Sequence, residues 1–290
     1  MRVALMVEGQ EGPSWDEWLA LADACEKHGL EALFRSDHYL SQTDPERAAT
    51  DAWTLIGALA ARTSKLRLGT LVSPVTFRHP AVVAKAAATA DQVSDGRIEV
   101  GMGAGWMAVE HERFGFDFPE TKERVWTLAQ HVEQVDRLLR DDPLTVQQPR
   151  PPLIVGGSAG RGTADPAAQF ADEYNTFGVD AAEAARRRKK LDEACERAGR
   201  DPGSLHFSLM TPFVLGRDHA RRFVQVFPGA GSADEWFDEL KRRGLAGSPV
   251  DLVDGLREFE AAGVERVMLQ HVVHDDLDVV GALGEIAAAL

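Results

Sequence analysis

The chain has 290 residues, 44% of them hydrophobic and 27% charged, and its 46 Asp and Glu outweigh 32 Lys and Arg for a net charge of −14. Such a composition excludes a disordered or fibrous chain and fits an ordinary packed protein. The acidic excess repels phosphate backbones and anionic lipid surfaces at long range, so neither nucleic acid nor membrane is an expected partner.

In chain order, VALMVE (3–8) reads as a strand, too short for a signal segment and followed at once by charge. SWDEWLALADACEKHG reads as a helix, with Ser14 and Glu17 as a capping box and Gly29 as the C-cap. EALFRSD (31–37) is a second strand, ending on Asp37 with His38 directly after it, and DAWTLIGALAARTS a helix. LRLGTLV (66–72) is a third strand, interrupted by Ser73-Pro74, after which His79-Pro80 opens HPAVVAKAAATADQVS with proline at its first position.

RIEVGMG (97–103) follows and leads through GMGAGW into what reads as a long loop before the helix ERVWTLAQHVEQVDRLLR. PLIVGG (152–157), EYNTFG (173–178), LHFSLM (205–210) and ERVMLQH (265–271) complete eight strands, with DAAEAARRRKKLDEACERAG and SPVDLVDGLREFEAAG as helices between them. The RRRKK block (186–190) and KRR (241–243) read as solvated helix faces. Cys25 and Cys195 lack metal-type spacing and read as small buried side chains in a reducing compartment, and no apolar run reaches the roughly 20 residues of a membrane span. A cytoplasmic protein is expected.

Eight strand–helix units in one chain of this length favour a single (β/α)8 TIM barrel over residues 1–290, rather than a doubly wound sheet. Residues 217–247 exceed the other connections in length and polarity, which predicts an extra helical or loop insertion after the seventh strand, over the barrel mouth.

A barrel places its chemistry at the C-terminal ends of its strands. His38 stands at such an end, where an imidazole near its ordinary value of about 6.5 can move a proton at neutral pH. Asp37, one residue earlier, faces the other way if the strand geometry persists, and Arg78 is expected to anchor the helix ring. In GMGAGW the alternating glycines let the backbone approach a flat ring, with Gly103, Ala104 and Gly105 nearest the rim. This stretch is not a dinucleotide fingerprint, because it does not open a helix after the first strand. PLIVGGSAGRGT presents Gly156, Gly157, Ser158 and Gly160 as a nest of N–H donors, which can hold a phosphate despite the acidic whole. GGSAG is out of frame for a nucleophile elbow, and no clustered metal motif is present.

FRSDHY, LGTLVSPVTFRHPAVVAKAAATADQVSDGRIEVGMGAGW, EHERFGFDFP and AGVERVMLQ together resemble the bacterial luciferase-like monooxygenase superfamily, and within it the branch that uses the deazaflavin coenzyme F420. The resemblance implies a TIM barrel of the luciferase-like type, with a bulge and a non-prolyl cis bond near residues 70–73 and a homodimeric assembly. It implies His38 as the acid or base near the coenzyme ring, Asp37 supporting the coenzyme, Ser73 and Gly103 to Gly105 lining the ring, and Gly156 to Gly160 taking the tail phosphate. The implied activity is hydride transfer between carbon 5 of the deazaflavin and a small organic substrate. An FMN-dependent monooxygenase using reduced flavin and dioxygen, and a noncatalytic coenzyme-binding protein, are the alternatives. In the related sugar-phosphate dehydrogenases a glutamate follows the fourth-strand glycine. Trp106 stands there in this chain, which argues for a more apolar or aromatic substrate.

Overall fold

A computed structural model describes residues 1–290. Its eight long strands are β1 Arg2–Val7, β2 Ala32–Arg35, β3 Arg67–Thr70, β4 Ile98–Gly103, β5 Leu153–Gly156, β6 Glu173–Phe177, β7 His206–Pro212 and β8 Arg266–His271. All run parallel, and each lies where the apolar runs predict it. β1 pairs with both β2 and β8, and the pairing of Leu68 with Ile98 and Gly69 with Glu99 joins β3 to β4 and closes the barrel.

The helices begin where capping chemistry predicts. Ser14 and Glu17 form the reciprocal box at α1 (Trp15–His28), and Gly29 ends it in the left-handed conformation. Asp51 caps α2 (Ala52–Ala60), and His79 precedes Pro80 at the first position of α3 (Pro80–Ser94). The stretch after β4 is a correction: 108–114 is not loop but the short helix α4 (Ala108–Phe114), stopped by Gly115, before α5 (Thr121–Asp141). α6 (Arg161–Phe170) and α7 (Ala181–Arg197) follow β5 and β6. The predicted insertion is two helices, α8 (Gly216–Val226) and α9 (Ala233–Arg242), tied at their base by pairing of Val214–Leu215 with Ala246–Gly247. α10 (Pro249–Ala261) and α11 (Leu277–Ala289) complete the ring.

Most buried apolar side chains lie between strands and helices, where each fully buried Leu or Phe contributes about 1.5–3 kcal/mol. Cys25 and Cys195 are buried there as expected. The barrel interior is filled differently. Ala4, Met6, Ala32, Phe34, Ile154 and Met268 make its apolar middle. Its base is ionic: Arg266, 1% exposed, donates to Glu99 and Glu173 at 2.6 Å each, and Arg67 donates to Glu99 at 2.5 Å. Burial would raise Glu99, but Arg266 and Arg67 outweigh it and hold the carboxyl down to about 2.

The third strand breaks as the resemblance implied. Gly69 faces Glu99 while Ser73 faces Met102, so four steps on one side span three on the other, with a cis peptide between Leu71 and Val72. Val72 is thereby turned toward β4 and β5. A Cβ on Gly103 would lie 2.4 Å from its Cγ2, and one on Gly156 would lie 3.1 Å from its Cγ1. Glycine is required at 103 to admit Val72.

Candidate active site

At the C-terminal ends of the strands lies a cavity of about 720 Å³, of the size that takes a cofactor or drug-like ligand. Residues at the strand ends divide into those that line it and those that do not. Glu8, Gln10, His38, Gly103, Ala104, Gly105, Trp106, Gly156, Gly157, Ser158, Phe177, Met210 and Gln270 line it. Asp37, Ser73, Gly160 and His271 do not, because their side chains or positions fall on the far side of the rim.

His38 leaves β2 and enters the cavity beside Trp106, whose indole stands edge-on at 5.5 Å between ring centroids. Behind it sits Glu110, 1% exposed, with Oε1 2.7 Å from His38 Nδ1 and Oε2 accepting the Tyr39 N–H at 3.1 Å. Burial opposes charge on His38, yet the hydrogen bond and negative charge of Glu110 prevail and raise its pKa above the ordinary value. The imidazole is a group poised to hold a proton, with a fixed carboxylate behind it.

Asp37 faces away from the cavity, as strand alternation predicts, and so does not touch a coenzyme directly as the resemblance implied. Asp37, 1% exposed, accepts the Ser73 hydroxyl at 2.7 Å and pairs with Arg78, which also holds Asp51 and Tyr39. Trp53 donates to the same Ser73 hydroxyl at 3.1 Å. Asp37 and Ser73 therefore belong to a buried polar cluster behind the cavity wall, and Arg78 anchors the helix ring as expected. Gly160 lies outside the wall as the N-cap of α6, its carbonyl engaged by Thr163 and Ala164.

The Gly-rich turn after β5 is held by Tyr174, whose hydroxyl accepts the Ala159 N–H at 2.7 Å while Ala159 adopts φ 57°. A Cβ on Gly157 would lie 2.5 Å from that hydroxyl, so only glycine fits. The Gly157 N–H is spent on Asn175, but those of Ser158 and Gly160 meet no acceptor in the protein and precede the N-terminus of α6. Arg187 lines the same part of the cavity, braced by Glu183 at 2.9 Å and by the Thr176 hydroxyl. Free amides, a helix N-terminus and a guanidinium make a donor set suited to a phosphate-bearing tail. Leu71, Val72, Pro74, Ala104 and Met107 supply apolar wall for a flat ring. The residues present fit a ring-and-tail coenzyme of the deazaflavin or flavin kind.

Two site residues escaped the sequence reading. Glu110 falls in 108–114, which reads as loop, although the run AVEHERF before Gly115 carries the helix-and-stop pattern that reveals it. Arg187 sits in the RRRKK block that reads as a solvated face. Arg186, Lys189 and Lys190 are indeed exposed, but Arg187 falls on the stripe of Ala184, Leu191 and Cys195 that α7 turns inward.

A model of the luciferase-like monooxygenase family matches residues 1–226. An F420-dependent glucose-6-phosphate dehydrogenase of Nakamurella multipartita is 36% identical over 139 residues, 48% of this chain and 40% of that protein. One from Amycolatopsis mediterranei is 36% identical over 118 residues, 40% of this chain and 35% of that protein. The chain thus aligns with well under two thirds of these relatives. Among solved structures, an F420-dependent secondary alcohol dehydrogenase in complex with an F420-acetone adduct superposes with TM-score 0.80 at 19% identity, over 98% of this chain and 97% of that one. At such identity the likeness is one of fold. No helix is long and apolar enough to cross a membrane.

Proposed function

The chain belongs to the luciferase-like monooxygenase family, and from that premise we propose that it is a coenzyme F420-dependent oxidoreductase, moving a hydride between the deazaflavin and a small organic substrate. The observation that carries this reading is the placing of His38 inside a cavity whose far side offers phosphate donors, with Glu110 fixing the imidazole from behind. The names of the relatives that align over 118 to 139 residues favour F420 over FMN.

When bound, the deazaflavin supplies a ring carbon that gives or takes a hydride and reacts poorly with dioxygen. Ser158 and Arg187 would hold the tail, and Leu71, Val72 and the segment Gly103 to Gly105 would bear on the ring. Gly156 and Gly157 keep the tail loop close to β5. Asp37 and Ser73 act at one remove, by fixing Arg78 and the broken third strand. His38 gives or takes the proton that accompanies hydride transfer, and Glu110 keeps Nδ1 engaged so that Nε2 is the atom available to substrate.

Titration with oxidised F420, followed by its absorbance, tests the proposal. Micromolar binding is expected, weakened about tenfold in Arg187→Ala, the weight of one charged contact. His38→Ala should still bind and lose turnover. A protein that ignores F420 but binds reduced FMN and consumes dioxygen overturns the proposal in favour of a monooxygenase.

A further inference from the structure

The cavity has two unlike halves. Ser158, Asn175 and Arg187 lie on the side of β5 and β6, where the coenzyme tail is placed. The opposite wall, built from the ends of β1 and β8 and the connection after β2, carries Glu8, Gln10, Glu11, Gln42 and Gln270.

Its two carboxylates are each 6% exposed but are compensated differently. Glu11 is paired with Arg47 and accepts the Ser41 hydroxyl at 2.9 Å. Glu8 accepts only from neutral amides, Gln10 Nε2 at 2.9 Å and Gln270 Nε2 at 2.6 Å, and takes part in no ion pair. Those donors fill one site on each oxygen and leave each with further accepting capacity. A carboxylate so far removed from water and without a counter-charge is costly unless something completes its shell.

Its surroundings narrow what that something is. Glu8 and His38 line the same cavity. Trp106 stands against His38, and Phe227 of the α8–α9 segment lines the same space. Aromatic faces and a carboxylate together stabilise an ammonium ion, which finds quadrupole attraction on one side and a full negative charge on the other. A phosphate ester in this half would meet two buried carboxylates, and the cavity's one arginine lies across in the tail region. An alcohol would satisfy a lone pair of Glu8 without balancing its charge.

We infer that the substrate of this cavity carries a protonated amine, and that Glu8 is the residue that selects it. The inference rests on the reading of this cavity as the oxidoreductase site, and it names the substrate class for that site. The binding it describes needs no coenzyme, so the two can fail separately.

The test is calorimetric titration of the free protein at pH 7 with three shape-matched pairs: butylamine and butanol, cyclohexylamine and cyclohexanol, benzylamine and benzyl alcohol, with benzyl phosphate as the anionic probe. At least one amine should bind about tenfold more tightly than its alcohol, the weight of one charge-assisted contact, and benzyl phosphate should bind more weakly than benzylamine. Glu8→Gln should abolish the amine preference while leaving alcohol binding near its original level. Glu8→Asp keeps the charge and should keep the preference, which secures the reading if the glutamine variant folds poorly. Silence from all three amines, an equal preference in Glu8→Gln, or tighter binding of benzyl phosphate overturns the inference. F420 binding without amine selection sinks this inference alone; amine selection without F420 binding sinks only the coenzyme assignment.

Discussion

Replacing Glu110 with Gln isolates what the carboxylate does for His38. The amide keeps the size of the side chain and can still accept from Nδ1 across the 2.7 Å contact, but it removes a negative charge from a group 1% exposed. A hydrogen bond to a charged partner is worth about 1.5–3 kcal/mol, which at about 1.4 kcal/mol per pH unit amounts to roughly one to two units of imidazole pKa. With that support weakened, burial is opposed only by the more distant charges of Glu8 and Asp37, and the His38 titration should move down from its raised position. Carbon-13 NMR of labelled histidine reads the shift directly, and the pH profile of kcat/KM should move the same way. The stability effect has a definite sign. A histidine raised in the folded state contributes fully below its unfolded value of about 6.5 and loses that contribution as pH rises through the folded value. The gap in unfolding free energy between the native protein and Glu110→Gln should therefore be about 1–2 kcal/mol larger at pH 6 than at pH 9. An unchanged or raised His38 titration in the variant would refute the reasoning.

Two further outcomes follow from packing and burial. Gly103→Ala places a methyl 2.4 Å from Val72 Cγ2 and should cost about 1–3 kcal/mol in urea unfolding, most of it recovered when Val72→Ala is added, whereas additive losses would show the clash is elsewhere. His219 and His274 are each held down to about 4 by burial and His271 well below its ordinary value, so the unfolded chain takes up protons first as pH falls below about 6.5. By pH 5 the loss should reach about 2 kcal/mol for each of the first two, and His271→Leu should make denaturation curves less pH-dependent across this window.

Periodicity made the scaffold legible because each barrel strand is buried on both faces and reads as a short apolar run, as in VALMVE and PLIVGG. The cap of α1 was equally plain, since Ser14, Glu17 and Gly29 perform local chemistry that tertiary context does not alter. The site was legible where position along a strand decides exposure, as for His38 and Ser158. Alternation along β2 was enough to turn Asp37 away, but Ser73 is turned by the break in β3, which depends on register against a strand far away in sequence. Arg187 shows the opposite limit: five consecutive basic residues look alike until the phase of α7 against the barrel is known.

The salt-linked base around Arg266 gives the chain an uneven tolerance to drift. Arg266 bridges Glu99 and Glu173, and losing it would leave Glu173, 4% exposed, without its closest cation. Replacement there has to come as a coordinated set, through intermediates that fold badly. The mouth has no such lock: Gln42, Trp106 and Phe227 come from separate connections and can be exchanged singly. New specificities can accumulate at one end of the molecule while the other stays fixed.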